Sequence, residues 1–141
     1  MAIHFKFRFG LGLPKDPVQA GLYLAGAADL GYSNAQLILA HAYQGHTHGN
    51  MEGVYPPGGP NSTLALLYYK VAAANGRLSP KFNVALLTAQ GSDPEIADPH
   101  ERCLVAYRHF SEIILKAHSD VHLIFAHARR AFDLGDETGA L

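Results

Sequence analysis

The chain has 141 residues, 48% hydrophobic and 16% charged, with eleven Lys plus Arg against twelve Asp plus Glu for a formal net charge of -1. This balance permits a buried core and excludes a disordered tail, and without a basic stripe it excludes a nucleic-acid footprint. No run approaches the ~18 apolar residues that span a bilayer, and the single cysteine, Cys103, excludes an internal disulfide framework and a cysteine-rich zinc site.

The first nine residues alternate, with Ile3, Phe5, Phe7 and Phe9 separated by His4, Lys6 and Arg8. A period of two is a strand pattern, and it lacks the continuous apolar run of a signal peptide. Two arrangements accommodate it: a short edge strand that caps the fold, or a chain that starts in the middle of a repeat. The second agrees better with the other end, which stops within a unit at Ala140-Leu141.

From Asp16 onward the pattern is helical. Asp16-Pro17 and Asp98-Pro99 set a capping acceptor before a proline at the first helical position, with Gln19 and Glu101 spaced for a capping box. Ser79-Pro80 repeats the device, and Ser33, Asn61 or Ser62, Ser119 and Asp136 are further caps. Gly31, Gly76, Gly91 and Gly135 follow periodic runs, where glycine closes a helix at least cost. These signals predict helices at about 17–30, 34–44, 62–75, 80–90, 99–116 and 120–133, with a seventh beginning near Glu137.

Two loops interrupt the helices. The segment from Gly45 to Pro60 is too rich in glycine and proline for regular structure, and that from Gly91 to Ala97 is acidic and turn-forming. Each suits either a binding insertion or a tolerated surface excursion.

The helical segments repeat. Ala20, Tyr23, Ala27, Ala28 and Gly31 recur forty-five residues on as Ala65, Tyr68, Ala72, Ala73 and Gly76. After another forty-one, Ala106 answers Ala65, Phe110 answers Tyr69, Ile113 answers Ala72 and Ala117 stands for the glycine. Such periods point to a helical solenoid. Helix propensity alone demands no fixed phase, so the small residues mark close helix approach and Tyr23, Tyr68, Tyr69 and Phe110 fill the space between neighbours.

The run Gly10-x-Gly12-Leu13-x-x-Asp16-x-x-x-Ala20-x-x-Tyr23-x-x-x-Ala27-Ala28-x-x-Gly31-x-x-x-Ala35-Gln36 resembles the Sel-1-like repeat, a relative of the tetratricopeptide repeat. Leu39-Ala40-x-x-Tyr43 resembles the opening of the next unit, with Ala40 in place of glycine. Ser79-Pro80 departs from the usual Ala-Gln, and Thr88 replaces a tyrosine. Cys103-x-x-Ala106-x-x-x-Phe110-x-x-Ile113, then Leu123-x-x-Ala126, Asp133-x-Gly135-Asp136 and Ala140-Leu141, is similar to the C-terminal repeats of the eukaryotic Sel-1/Hrd-type adaptor. That family is an endoplasmic-reticulum glycoprotein that recruits misfolded lumenal proteins to a membrane-embedded ubiquitin ligase. The resemblance implies an adaptor in that compartment. The alternative it leaves is a bacterial-type Sel-1-like signalling protein. Asn61-Ser62-Thr63 is an N-glycosylation acceptor in a turn, consistent with a lumenal chain.

His118 and His122 are four apart, His46 and His48 share the long loop, and His100 precedes Cys103 by three, yet none completes a metal-ligand spacing. Cys103 opens an apolar helix and reads as buried packing rather than as a nucleophile. Gly10-Leu11-Gly12 resembles the start of a dinucleotide fingerprint, but Lys15 occupies the third glycine's place and no βαβ unit surrounds it. Asp93, Glu95 and Asp98 read as solvated loop acids.

The expectation is therefore an all-α, right-handed α-solenoid of about three helix pairs. Its units are a partial repeat at 1–33, repeats at 34–78 and 79–118, and a partial repeat at 119–141. No catalytic residue, cofactor or metal is expected. A protein partner, a ubiquitin ligase subunit or a misfolded substrate, would meet a groove presenting Gln36, His41, Gln44, Lys81 and His127. Apolar end faces favour a homo-oligomer.

Overall fold

The computed structural model describes residues 2–45 and 53–133. Among them the chain forms six helices and no strand: α1 (Ala2–Phe9), α2 (Pro17–Asp29), α3 (Ser33–Tyr43), α4 (Ser62–Ala73), α5 (Leu78–Ala89) and α6 (Pro99–Asp133). Each packs chiefly on the helix before it and the helix after it. The His46 and His48 pair, Gly135, the Asp136 cap and the seventh helix near Glu137 lie outside the described residues.

The alternating N-terminus is a helix, not a strand. A lone strand leaves its backbone groups unpaired, whereas a helix satisfies them internally. The helical turn also sorts the residues differently: His4 and Arg8, four apart, are buried, while Phe5 and Phe9 stack at 6.0 Å on a more exposed side. Polar residues thus face the core, which hides the helical period from a hydrophobicity pattern.

Asp16 caps α2, its carboxylate accepting from the Val18 and Gln19 N–H groups at 3.0 Å. Asn61 does the same for α4 through Thr63 and Leu64, at 3.0 and 3.1 Å. The serine caps fare differently. Ser33 is already inside α3, and its buried Oγ finds no partner among the described residues. Helix α5 starts at Leu78 behind an Arg77 that makes no side-chain cap, so Ser79-Pro80 sits within its first turn. Gly31, Gly76 and Gly91 adopt positive φ just past α2, α4 and α5, as helix-closing glycines require.

The forty-five-residue recurrence is carried into space. Helices α2 and α4 start at Pro17 and Ser62, and α3 and α5 at Ser33 and Leu78, each forty-five residues apart. Matched positions are buried alike: Ala20 with Ala65, Leu24 with Tyr69, Ala27 with Ala72, Leu39 with Val84 and Ala40 with Ala85. The expected inter-helix aromatics make their contacts. Tyr23 stacks on Phe7 at 5.5 Å, Tyr68 on Tyr43 at 5.8 Å, and Phe110 meets Phe82 edge-on at 5.5 Å.

The third unit departs from expectation. The helices foreseen at 99–116 and 120–133 are one helix, α6, and the boundary expected at 118–119 falls inside it. No glycine or proline stands between Ile114 and Asp120, and Lys116 pairs with Asp120 across the foreseen break at 2.5 Å. A serine alone does not stop a helix that such an i,i+4 pair supports. The first half of α6 sets Ala106, Phe110 and Ile113 in buried or half-buried positions, whereas Ile114, Leu115, Ile124 and Phe125 are exposed. Cys103, expected in the core, is exposed as well.

The described part of the long loop, from Gly53, lies against α2. The Tyr55 N–H donates to the Pro17 carbonyl at 3.0 Å, and Pro56 and Gly59 are buried. The Asn61 N–H then donates to the Tyr43 carbonyl at 2.7 Å, tying the loop's end to α3.

Candidate functional site

The five residues expected to line a groove are placed in three different settings. Gln36 is buried, and its side-chain amide donates to the Ala28 carbonyl at 3.2 Å. It therefore braces α3 on α2 and presents nothing to a partner, which corrects the expectation for it. The edge of α3 that carries Gln36 is the one that meets α2.

His41 and Gln44 are half-buried and serve Tyr69, the largest fully buried side chain. The Tyr69 hydroxyl lies 2.6 Å from His41 Nδ1 and donates to Gln44 Oε1 at 2.7 Å. A phenol has one proton, so donation to Gln44 leaves His41 Nδ1–H as the donor to the phenolic oxygen. Burial raises the Tyr69 pKa, keeping the phenol neutral. This network pins α3 to α4 and is internal architecture.

Lys81 does line a concavity. A cleft of about 330 Å³ opens between the end of α4, the start of α5 and α6, walled by Lys70, Ala73, Ala74, Lys81, Val84, His109 and Glu112. A second cleft of about 170 Å³ lies between α4 and the 91–97 loop, walled by Leu64, Leu67, Lys70, Asp93, Pro94 and Glu95. Lys70 borders both. His127 is exposed on α6 and lines neither.

Lys70 and Asp93 are the residues that sequence reasoning missed. The Lys70 ammonium meets the Asp93 carboxylate at 2.7 Å, and that carboxylate also accepts from the Glu95 N–H at 3.1 Å. Asp93 is buried rather than solvated, correcting its reading as a loop acid, while Glu95 and Asp98 are exposed. One signal was present: Lys70 stands forty-five residues after Ala25, a charge where the first unit has a methyl group.

Burial acts to raise the Asp93 carboxyl, but the Lys70 and Glu95 hydrogen bonds and the Lys70 charge outweigh it and hold the pKa below its ordinary value. A depressed carboxylate contributes stability that is complete above its unfolded-state pKa and lost as pH falls through the folded one. Lys70 is 43% exposed, so solvent screening limits the contribution to about 1 kcal/mol. Asp93→Asn should lose that amount at neutral pH and flatten the fall in urea-unfolding stability below about pH 4. An unchanged acid limb would show that the pair carries no linkage.

What the arrangement can do is bind. The larger cleft has small apolar walls, with Lys81, His109 and Glu112 at its rim, none ion-paired among the described residues. Apolar walls flanked by polar groups suit a side chain with its neighbouring polar backbone. Among the described residues no three His, Cys, Asp or Glu side chains gather to hold a metal. The rings of His118 and His122 lie 6.3 Å apart on an exposed stretch of α6. No helix among the described residues is long and apolar enough to cross a membrane.

Asn61 is exposed at the start of α4, with its side-chain oxygen committed to the cap, and the Thr63 hydroxyl donates to the Ser92 carbonyl at 3.3 Å. No protein-family model matches the chain, and no curated protein or solved structure matches it.

Proposed function

We propose that this chain is a Sel-1-like repeat protein, a right-handed α-solenoid that binds polypeptide through the clefts flanking Lys70. On this reading it is a segment of the endoplasmic-reticulum degradation adaptor that links misfolded lumenal substrates to a ubiquitin ligase complex. The observation that carries it is the forty-five-residue recurrence of a helix pair with matching caps, closing glycines and buried positions. Packing restricted largely to neighbours in sequence is the contact pattern of a one-dimensional stack. The exposed Asn61-Ser62-Thr63 acceptor agrees with a lumenal location.

Two measurements test this. A reduced, carboxymethylated, permanently unfolded polypeptide should bind the chain, and Lys81→Glu should weaken it about fivefold, the value of a contact of about 1 kcal/mol. In the native host, the protein should carry a mass shift that a glycosidase removes and that Asn61→Gln abolishes. No affinity for the unfolded probe removes the binding role, and an unglycosylated protein recovered from the cytosol removes the lumenal adaptor.

A further inference from the structure

We propose that the contact between α1 and α2 is a proton-operated latch: a proton taken up by His4 releases α1 and uncovers the α2 face beneath it. His4 is completely buried in that contact. A carbonyl only accepts, so the 2.9 Å approach of His4 Nδ1 to the Ala20 carbonyl places the single proton of the neutral ring on Nδ1. The lone pair on Nε2 then points into protein, with no hydrogen-bond partner among the described residues. A second proton has only that nitrogen to occupy, where it creates a buried imidazolium.

Nothing among the described residues stands ready to balance that charge. On α1 itself, Arg8 lies one turn along the same buried side and is cationic. Helix α2, the one helix with substantial contact to α1, carries no charged side chain from Pro17 to Ala28. The neighbouring segment from Gly53 to Pro56 carries none either. Asp16 is occupied as the α2 cap, and Asp29 sits at the far end of that helix. Burial foremost, and then the Arg8 charge, oppose protonation, against the pull of the Ala20 carbonyl.

The Asp16 N–H donates to the Phe7 carbonyl at 3.0 Å, and Phe7 stacks on Tyr23. Eight residues are too short to hold a helix alone in water, so α1 unfolds when it leaves α2. Release uncovers the face of Tyr23 that Phe7 covers and the α2 surface around Ala20. Because His4 is neutral when docked, the contact is complete above the ordinary imidazole pKa and weakens as pH falls below it.

Amide hydrogen exchange of the full chain, expressed as protection factors at about pH 7.5 and about pH 5, tests the latch. The amides of the last turn of α1 should lose protection at the lower pH, by at most about thirtyfold, the limit set by titrating a free imidazole over that interval. Helices α3, α4 and α5 should keep theirs. His4→Gln retains a donor for Ala20 and does not titrate, so its α1 protection should be independent of pH. Should that variant fail to dock α1, the His4 ring resonances of the unmodified chain report directly, titrating below free imidazole and together with the α1 amides. Constant α1 protection in the unmodified chain overturns the proposal. So does an equal loss in His4→Gln, or a loss shared by every helix.

Discussion

Gly21→Ala is expected to lower the unfolding free energy by about 2 kcal/mol, while Gly26→Ala, five residues along the same helix, raises it by about 0.5–1 kcal/mol. Both glycines lie within α2, where replacing glycine by alanine ordinarily stabilises because the unfolded chain loses freedom. A β-carbon at Gly26 meets open space. One at Gly21 would sit 1.8 Å from the Tyr55 carbonyl oxygen and 2.9 Å from its carbon. Those are backbone atoms, fixed by the bond from the Tyr55 N–H to the Pro17 carbonyl, so relief requires lifting the loop off α2. Urea unfolding followed by helical circular dichroism measures both variants without a tryptophan, which the chain lacks. Equal stability of the two variants would place the 53–56 segment away from α2.

Tyr69→Ala should cost about 3–5 kcal/mol, and Tyr69→Phe about 1–2 kcal/mol. The two differ because Tyr69 contributes a ring and a hydroxyl to separate tasks. The ring is fully buried at the α3–α4 contact, in the position that Leu24 holds one unit earlier, and its loss opens a cavity. The hydroxyl bridges His41 and Gln44, and removing it takes one hydrogen bond from each of two half-buried polar groups. A double-mutant cycle of Tyr69→Phe with Gln44→Ala isolates the bridge, with an expected coupling of about 1 kcal/mol. Additive losses would mean that the hydroxyl network does not couple α3 to α4.

The Tyr69 network also shows where sequence reading reaches its limit. The positions of Ala65, Tyr69 and Ala72 as an inward stripe were legible because periodicity records which residues share a face. That His41 and Gln44 turn toward Tyr69 was not, because a polar residue on a helix edge is equally compatible with solvent and with a buried phenol. Gln36 failed as a groove residue for the same reason: a polar type suggested exposure, and the Ala28 carbonyl supplied the partner that allows burial. Asp93 repeats the lesson, since only the approach of Lys70 from α4 makes its burial tolerable.

Local chemistry by itself determined much of the helical framework. Prolines, capping side chains and closing glycines act within a few residues, so α2, α4 and the start of α6 were readable at Asp16-Pro17, Asn61 and Asp98-Pro99. The tertiary structure decided what local signals leave degenerate. It made a helix of the alternating N-terminus by giving His4 and Arg8 a surface to bury against, which no pattern of apolar residues announces. The continuity of α6 is a balance: without a glycine or proline near Ser119, no strong local stop exists, and the chain runs on as one helix. The clefts around Lys70 belong wholly to the tertiary level, because their walls come from three helices and a loop that meet only once the stack is assembled.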